Sequence, residues 1–166
     1  MRLAYADPPY VGQAKRHYSH DPSGIPAEEV DYPELIEKLR LYDGWALSAS
    51  SPSLHILIPM VPEARVAAWV KPWCSWKPTH RVQYAWEPVL FVPTRPKGSK
   101  QVPSVRDFVS ANITMRRGTH GAKPDGFCDW VLDLIGYQPG DTVDDSFPGS
   151  GAFTNAVTRR QETEGL

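Results

Sequence analysis

The sequence predicts an α/β fold, a mostly parallel sheet with helices on both faces. Three observations lead there. Short, nearly continuous apolar runs of strand length alternate with longer segments whose apolar residues recur at helical spacing. The longer segments carry helix start and stop residues. At 166 residues and without an internal repeat, the chain has the length of one domain.

In order, "RLAYA" (Arg2 to Ala6) reads as a short buried strand running into "DPPY". Residues 11–30 are polar, with Gly, Pro, Ser and His, and read as a loop. "DYPELIEKLRLYDG" is a helix, capped by Asp31, with Pro33 in its first turn, Glu34 completing a capping box and Gly44 as its stop. Leu35, Ile36, Leu39 and Tyr42 form its apolar face. "WALSAS" is the next strand, and "SPSLHILIPMVPE" opens with a Ser-Pro helix start. "ARVAAWVKP" and "EPVLFV" are two further strands bounded by proline. Residues 93–123 are basic and rich in Pro and Gly around one apolar stretch, "VRDFVSANI", and look like an excursion from the core. "KPDGFCDWVLDLIG" is a second marked helix, with Phe127, Val131, Leu134 and Ile135 inward and Gly136 past its end. The strand "TVDDS", a glycine turn and the helix "AFTNAVTRR" close the order.

Composition narrows the function classes. No apolar run is long enough to span a bilayer, and the Pro-Pro-bearing N-terminus is no signal peptide. Cys74 and Cys128 are too few for a disulfide framework or a cysteine zinc site, so a reducing, cytoplasmic setting is expected. His17, His20, His55, His80 and His120 show no metal-ligand spacing, and no metal is expected. The net charge of −1 conceals an asymmetry: −4 over residues 1–64, +9 over 65–124 and −6 over 125–166. A basic middle between acidic ends suits a polyanion-binding face, although a solvated Lys/Arg-rich loop gives the same count. Arg95, Lys97, Lys100, Arg116 and Arg117 are the candidate nucleic-acid contacts. Trp69, Trp73, Trp76 and Trp86 are expected in core or loop packing, with base stacking as the alternative.

Two motifs carry chemistry. In "DSFPGSG", Asp145, Phe147, Gly149 and Gly151 follow a strand and lead into a helix. The glycines allow positive φ and close approach of backbone N–H groups to a ligand, and the carboxylate can accept from an amine or hydroxyl. The turn is neither G-x-G-x-x-G nor a Lys-Ser/Thr phosphate loop, which disfavours a nucleoside triphosphate. In "DPPY", Asp7, Pro8, Pro9 and Tyr10 also lie at a strand end, where an extended proline loop is the plain alternative. An exocyclic base amine is a poor nucleophile because its lone pair is delocalised into the ring. A carboxylate and a backbone carbonyl, held by two prolines, can both accept from it and localise that lone pair. A tyrosine offers a flat face to a base taken out of its stack.

Together, "ADPPY" and "DSFPGSGAF" resemble the S-adenosylmethionine-dependent amino-methyltransferases that act on adenine N6 or cytosine N4 in DNA. The order resembles the permuted one, with the catalytic tetrapeptide first and the cofactor loop last. "AWVKP" (Ala68 to Pro72), "YAWEPVLFV" (Tyr84 to Val92) and the stretch from His120 to Phe147 are similar to the family's remaining segments. The resemblance implies one Rossmann-like methyltransferase domain over residues 1–166, C-terminally abbreviated, with its basic excursion at about 93–123. It implies that Asp7, Pro8, Pro9 and Tyr10 are catalytic, and that Asp145, Phe147, Gly149 and Gly151 line the S-adenosylmethionine site with Lys123 near the methionine carboxylate.

Two departures stand out. Ser146 replaces the family's proline, and the acid that grips the cofactor ribose, about 20 residues past the motif aspartate, has no strand to carry it. Glu162 and Glu164 are not assigned that role. A homo-oligomer or a partner chain completing the cofactor site is therefore an expectation. The expected activity is methyl transfer to adenine N6 in DNA, with cytosine N4 or RNA as alternatives. The competing class is a degenerate methyltransferase fold that binds nucleic acid as an accessory subunit. Neither cysteine sits in a Pro-Cys pair, which disfavours attack on cytosine C5.

Overall fold

A computed structural model describes residues 1–12, 29–74, 76–95, 104–114 and 122–164. Its strands are β1 (Arg2–Ala6), β2 (Gly44–Ser48), β3 (Arg65–Val70), β4 (Trp86–Val92), β5 (Phe108–Ser110) and β6 (Thr142–Asp145). They form one sheet in the order β5-β3-β4-β2-β1-β6. β1 pairs in parallel with both β2 and β6, and β3 pairs in parallel with β5. β4 runs antiparallel to β2 and β3 and is the one reversed strand among those described. Because β4 is buried through its middle, nothing in its composition distinguished a reversed strand from a parallel one.

The helices are α1 (Tyr32–Leu39), the single turn α2 (Leu54–Leu57), α3 (Asp125–Ile135) and α4 (Ala152–Glu164). They cover both faces, as the strand alternation requires. On one side Leu3 and Tyr5 of β1 meet Phe127, Val131 and Ile135 of α3 and Phe153 and Ala156 of α4. On the other, Ala4 and Ala6 meet Tyr32, Leu35, Ile36 and Leu39 of α1. The mostly parallel α/β architecture read from the sequence is the one observed.

Local details differ. Asp31 caps α1 by accepting from the Glu34 N–H at 3.0 Å, but the Glu34 carboxylate pairs with Lys38 at 2.7 Å instead of closing the box. α1 ends at Leu39, and Gly44 instead opens β2. A Cβ at Gly44 would lie 2.6 Å from Thr94 Cγ2, so glycine permits that close approach. The expected helix from Ser51 breaks into a 3-10 turn, α2 and a second 3-10 turn ending at Met60. Pro59 lacks the N–H that a continuing helix needs, and its ring obstructs the preceding turn. The apolar stretch within the basic excursion returns to the sheet as β5, at its edge. α3 ends as read, with Gly136 at φ +78°.

Candidate active site

The strands β1 and β6 are parallel neighbours, with Tyr5 opposite Asp145. The chain leaves β1 toward the α1 face and leaves β6 toward the α4 face. Neighbouring strands whose connections depart to opposite faces open a crevice at their carboxyl ends. Both motifs lie at that edge.

After β1, Pro8 and Pro9 are buried while Asp7 and Tyr10 are half-buried. Tyr32, in the first turn of α1, donates its hydroxyl to the Pro9 carbonyl at 3.0 Å and so fixes the tetrapeptide from below. The Asp7 carboxylate accepts from Lys123 Nζ at 2.8 Å through one oxygen, and the other oxygen lies 2.7 Å away. Lys123 Nζ also stands 3.9 Å from Glu87 Oε2 and within 6 Å of the rings of Tyr10, Trp69 and Phe127. Glu87, opposite Trp69 in the β3–β4 register, accepts from the Tyr10 hydroxyl at 2.6 Å and from Lys71 Nζ at 2.7 Å. Two carboxylates and two ammonium groups thus form one compact network beneath the motif.

Burial raises the Asp7 carboxyl pKa; Lys123 pulls it down, while Glu87 and Asp145 add to the rise. At Glu87 burial acts the same way, but Lys123, Lys71 and the Tyr10 hydroxyl together hold the carboxyl below its ordinary range. Burial and the adjacent Glu87 push the Tyr10 phenol well up, so it stays a hydrogen-bond donor.

On the β6 side, Asp145 Oδ2 accepts from the Thr154 hydroxyl at 2.8 Å, whereas the buried Oδ1 has no hydrogen-bond partner among the described residues. Burial raises this carboxyl, and Thr154 and the backbone N–H of Phe147 oppose the rise. Gly149 and Gly151 have φ of +44° and +73°, conformations that side-chain-bearing residues rarely adopt. Phe147 packs against the α1-side core. A buried acceptor that no described donor reaches, beside a turn with an open glycine position, suits a ligand that brings its own N–H or O–H.

The structure therefore brings Asp7 to Tyr10, Lys123, Asp145, Phe147, Gly149 and Gly151 to one edge. It places the Lys123 ammonium on the Asp7 carboxylate. Arg95 lies at the other end of the sheet, past the close of β4, bound to Asp141 at 2.8 Å and to the Gly136 carbonyl that ends α3. Lys97, Lys100, Arg116 and Arg117 fall outside the described residues. Sequence reading gave no role to Glu87, Lys71 or Tyr32. The signal available was a lone charge at the end of an otherwise apolar strand, as in "AWVKP" and "WEPVLFV".

No protein-family model matches the chain, and no curated protein matches it. Solved structures do. The structure of the M1.HpyAVI-SAM complex matches at a TM-score of 0.60 and 18% identity, over 95% of this chain and 78% of that one. M1.HpyAVI alone matches at 0.58 and 17%, over 96% and 76%. At such identities the likeness is one of architecture: the chain shares the α/β fold of M1.HpyAVI.

Proposed function

We propose that this protein transfers a methyl group from S-adenosylmethionine to an exocyclic amine of a base in DNA, adenine N6 before cytosine N4. The observation that carries the reading is the placement of Asp7-Pro8-Pro9-Tyr10 and the Asp145 to Gly151 turn at the adjacent carboxyl ends of β1 and β6. The shared fold with M1.HpyAVI, whose structure holds SAM, supports it.

When bound, the cofactor supplies an electrophilic methyl group on its sulfonium. Asp145 Oδ1, the Gly149 and Gly151 turn and Phe147 are the residues that would hold it. Asp7 accepts a hydrogen bond from the base amine, and the Pro8 carbonyl is the neutral acceptor beside it. Both acceptors favour a nitrogen whose lone pair points outward, which is the geometry that attack on a methyl carbon needs. The Tyr10 ring stacks on the extruded base. As the amine forms its new bond it becomes acidic and sheds a proton. A carboxyl raised by burial, as at Asp7, is suited to take it. The intact acidic motif favours this reading over a non-enzymatic accessory subunit.

The test uses purified protein, methyl-labelled S-adenosylmethionine and duplexes whose candidate bases are varied, followed by mass analysis of the nucleosides. N6-methyladenine formed by the native chain and lost in Asp7→Ala is the expected result. Near-normal turnover by Asp7→Ala would overturn it, and N4-methylcytosine would redirect it.

A further inference from the structure

The connection from Lys71 to Ala85, between β3 and β4, leaves the same edge of the sheet as Asp7. It contains Lys71, Lys77, Arg81 and His80 and no acidic residue. It also exposes large rings: Trp73 is 51% accessible, Trp76 73% and Tyr84 44%, with Trp86, the first residue of β4, at 39%. Single exposed apolar residues need no explanation, but several indoles on one basic loop do.

Hydrogen bonds among the described residues hold the rest of this connection. The Gln83 side chain accepts from the Lys77 N–H at 2.9 Å and donates to the Lys77 carbonyl at 3.0 Å. The His80 N–H donates to the Lys77 carbonyl at 2.9 Å, and the His80 ring meets Tyr84 edge-on. The Trp73 N–H donates to Asn112 Oδ1 at 3.2 Å, beyond the end of β5. At the base of the loop the Lys71 N–H donates to the Ala85 carbonyl at 2.7 Å, and Lys71 Nζ holds Glu87, the acceptor for Tyr10. Tyr84 is already covered by His80 and the Lys77 ammonium, which leaves Trp73 and Trp76, the two most exposed, as the open rings of the loop.

We propose that this loop is a stacking platform for unpaired DNA flanking the target base, with Trp73 and Trp76 taking bases face-on and Lys77 and Arg81 meeting phosphates. The proposal rests on the reading of DNA as substrate. Its occupant is single-stranded because bases in a duplex already stack on one another and offer only their edges and phosphates, whereas an indole face binds a base whose own face is open. The platform is distinct from the Tyr10 position, to which Lys71 and Glu87 connect it.

The experiment measures binding of a fluorescein-labelled oligothymidylate, alone and annealed to its complement, with methyl transfer assayed separately. The native chain should prefer the single strand. Trp73→Ala and Trp76→Ala should each weaken single-strand binding about ten-fold and leave duplex binding within about two-fold, with unchanged circular-dichroism melts as the folding control. Lys77→Ala and Arg81→Ala should each lower the single-strand salt slope by about 0.7. Unchanged single-strand affinity in both tryptophan variants, or a native preference for duplex, would overturn the platform. Absence of methyl transfer to any DNA by a native chain that still loses single-strand binding in these variants would sink the methyltransferase reading and leave the platform standing.

Discussion

At Asp7, burial raises the carboxyl pKa and the Lys123 ammonium pulls it back. Under the proposed function Asp7 must be ionised to accept from the base amine, so the acid limb of the rate profile follows this balance. Lys123→Met removes the ammonium that faces Asp7 and leaves Glu87 and Asp145, which raise the carboxyl further. The acid limb of kcat should therefore move to higher pH. A loss of S-adenosylmethionine affinity with no displacement of that limb would instead place Lys123 on the cofactor, as the family resemblance implies. Tyr10 presents a second case at this scale. Its ring alone suggests that Tyr10→Phe keeps much of the activity, yet the hydroxyl is bound to Glu87 at 2.6 Å. A hydrogen bond to a charged group contributes about 1.5–3 kcal/mol, so Tyr10→Phe should raise the KM for DNA by roughly ten-fold or more. Tyr10→Ala should cost further, because the stacking face goes too. Steady-state kinetics on both variants would show whether the hydroxyl matters.

The turn between β6 and α4 places Gly149 and Gly151 at positive φ. At Gly151 an added Cβ would meet nothing nearer than 3.9 Å, the Asn155 side-chain nitrogen, yet φ is +73°. Gly151→Ala should thus destabilise through strain alone, by roughly 1–2 kcal/mol. Under the proposed function it should also diminish the rise in Tm expected of the native chain with S-adenosylmethionine, since a ligand bound only by the folded state stabilises it. Chemical denaturation and thermal melts with and without cofactor read the two effects separately. On the other side of the crevice, α1 is anchored to the Asp7–Tyr10 tetrapeptide through Tyr32 and the Pro9 carbonyl. The capping residue Asp31 precedes Tyr32 directly, so the start of the helix and the support of the motif are set by adjacent residues.

Across the whole molecule the two ends of the sheet divide the work. The carboxyl edge of the parallel strands holds the motif network, while at the amino edge Arg95 and the buried Asp141 join the segment after β4, the end of α3 and the start of β6. Burial would raise Asp141, but hydrogen bonds from Arg95 and from the Met1 ammonium win and hold the carboxyl at about 2. Its folded pKa lies below the unfolded value of about 3.9, so its contribution is complete above that value and is lost as pH falls through about 2. Arg95→Ala should cost about 3 kcal/mol at neutral pH by leaving a buried carboxylate without its guanidinium. It should leave the salt dependence of DNA binding unchanged. Urea melts and salt titrations would establish both, and a flattened slope would return Arg95 to the nucleic-acid face.

By itself the sequence determined what neighbouring residues decide. The Asp31 cap, the left-handed Gly136, the inward Phe127, Val131 and Ile135, and the two motifs at strand ends were legible because capping, backbone conformation and side-chain periodicity act over a few residues. The tertiary structure alone decided the reversed direction of β4, the return of Phe108–Ser110 to the sheet edge, and the meeting of Asp7, Lys123, Glu87, Lys71 and Tyr10. Those outcomes depend on which distant strands pair and in what register. A strand buried on both faces satisfies its side chains equally well in either direction, and a lone Glu or Lys in an apolar run takes its meaning from the opposite charge that folding sets beside it.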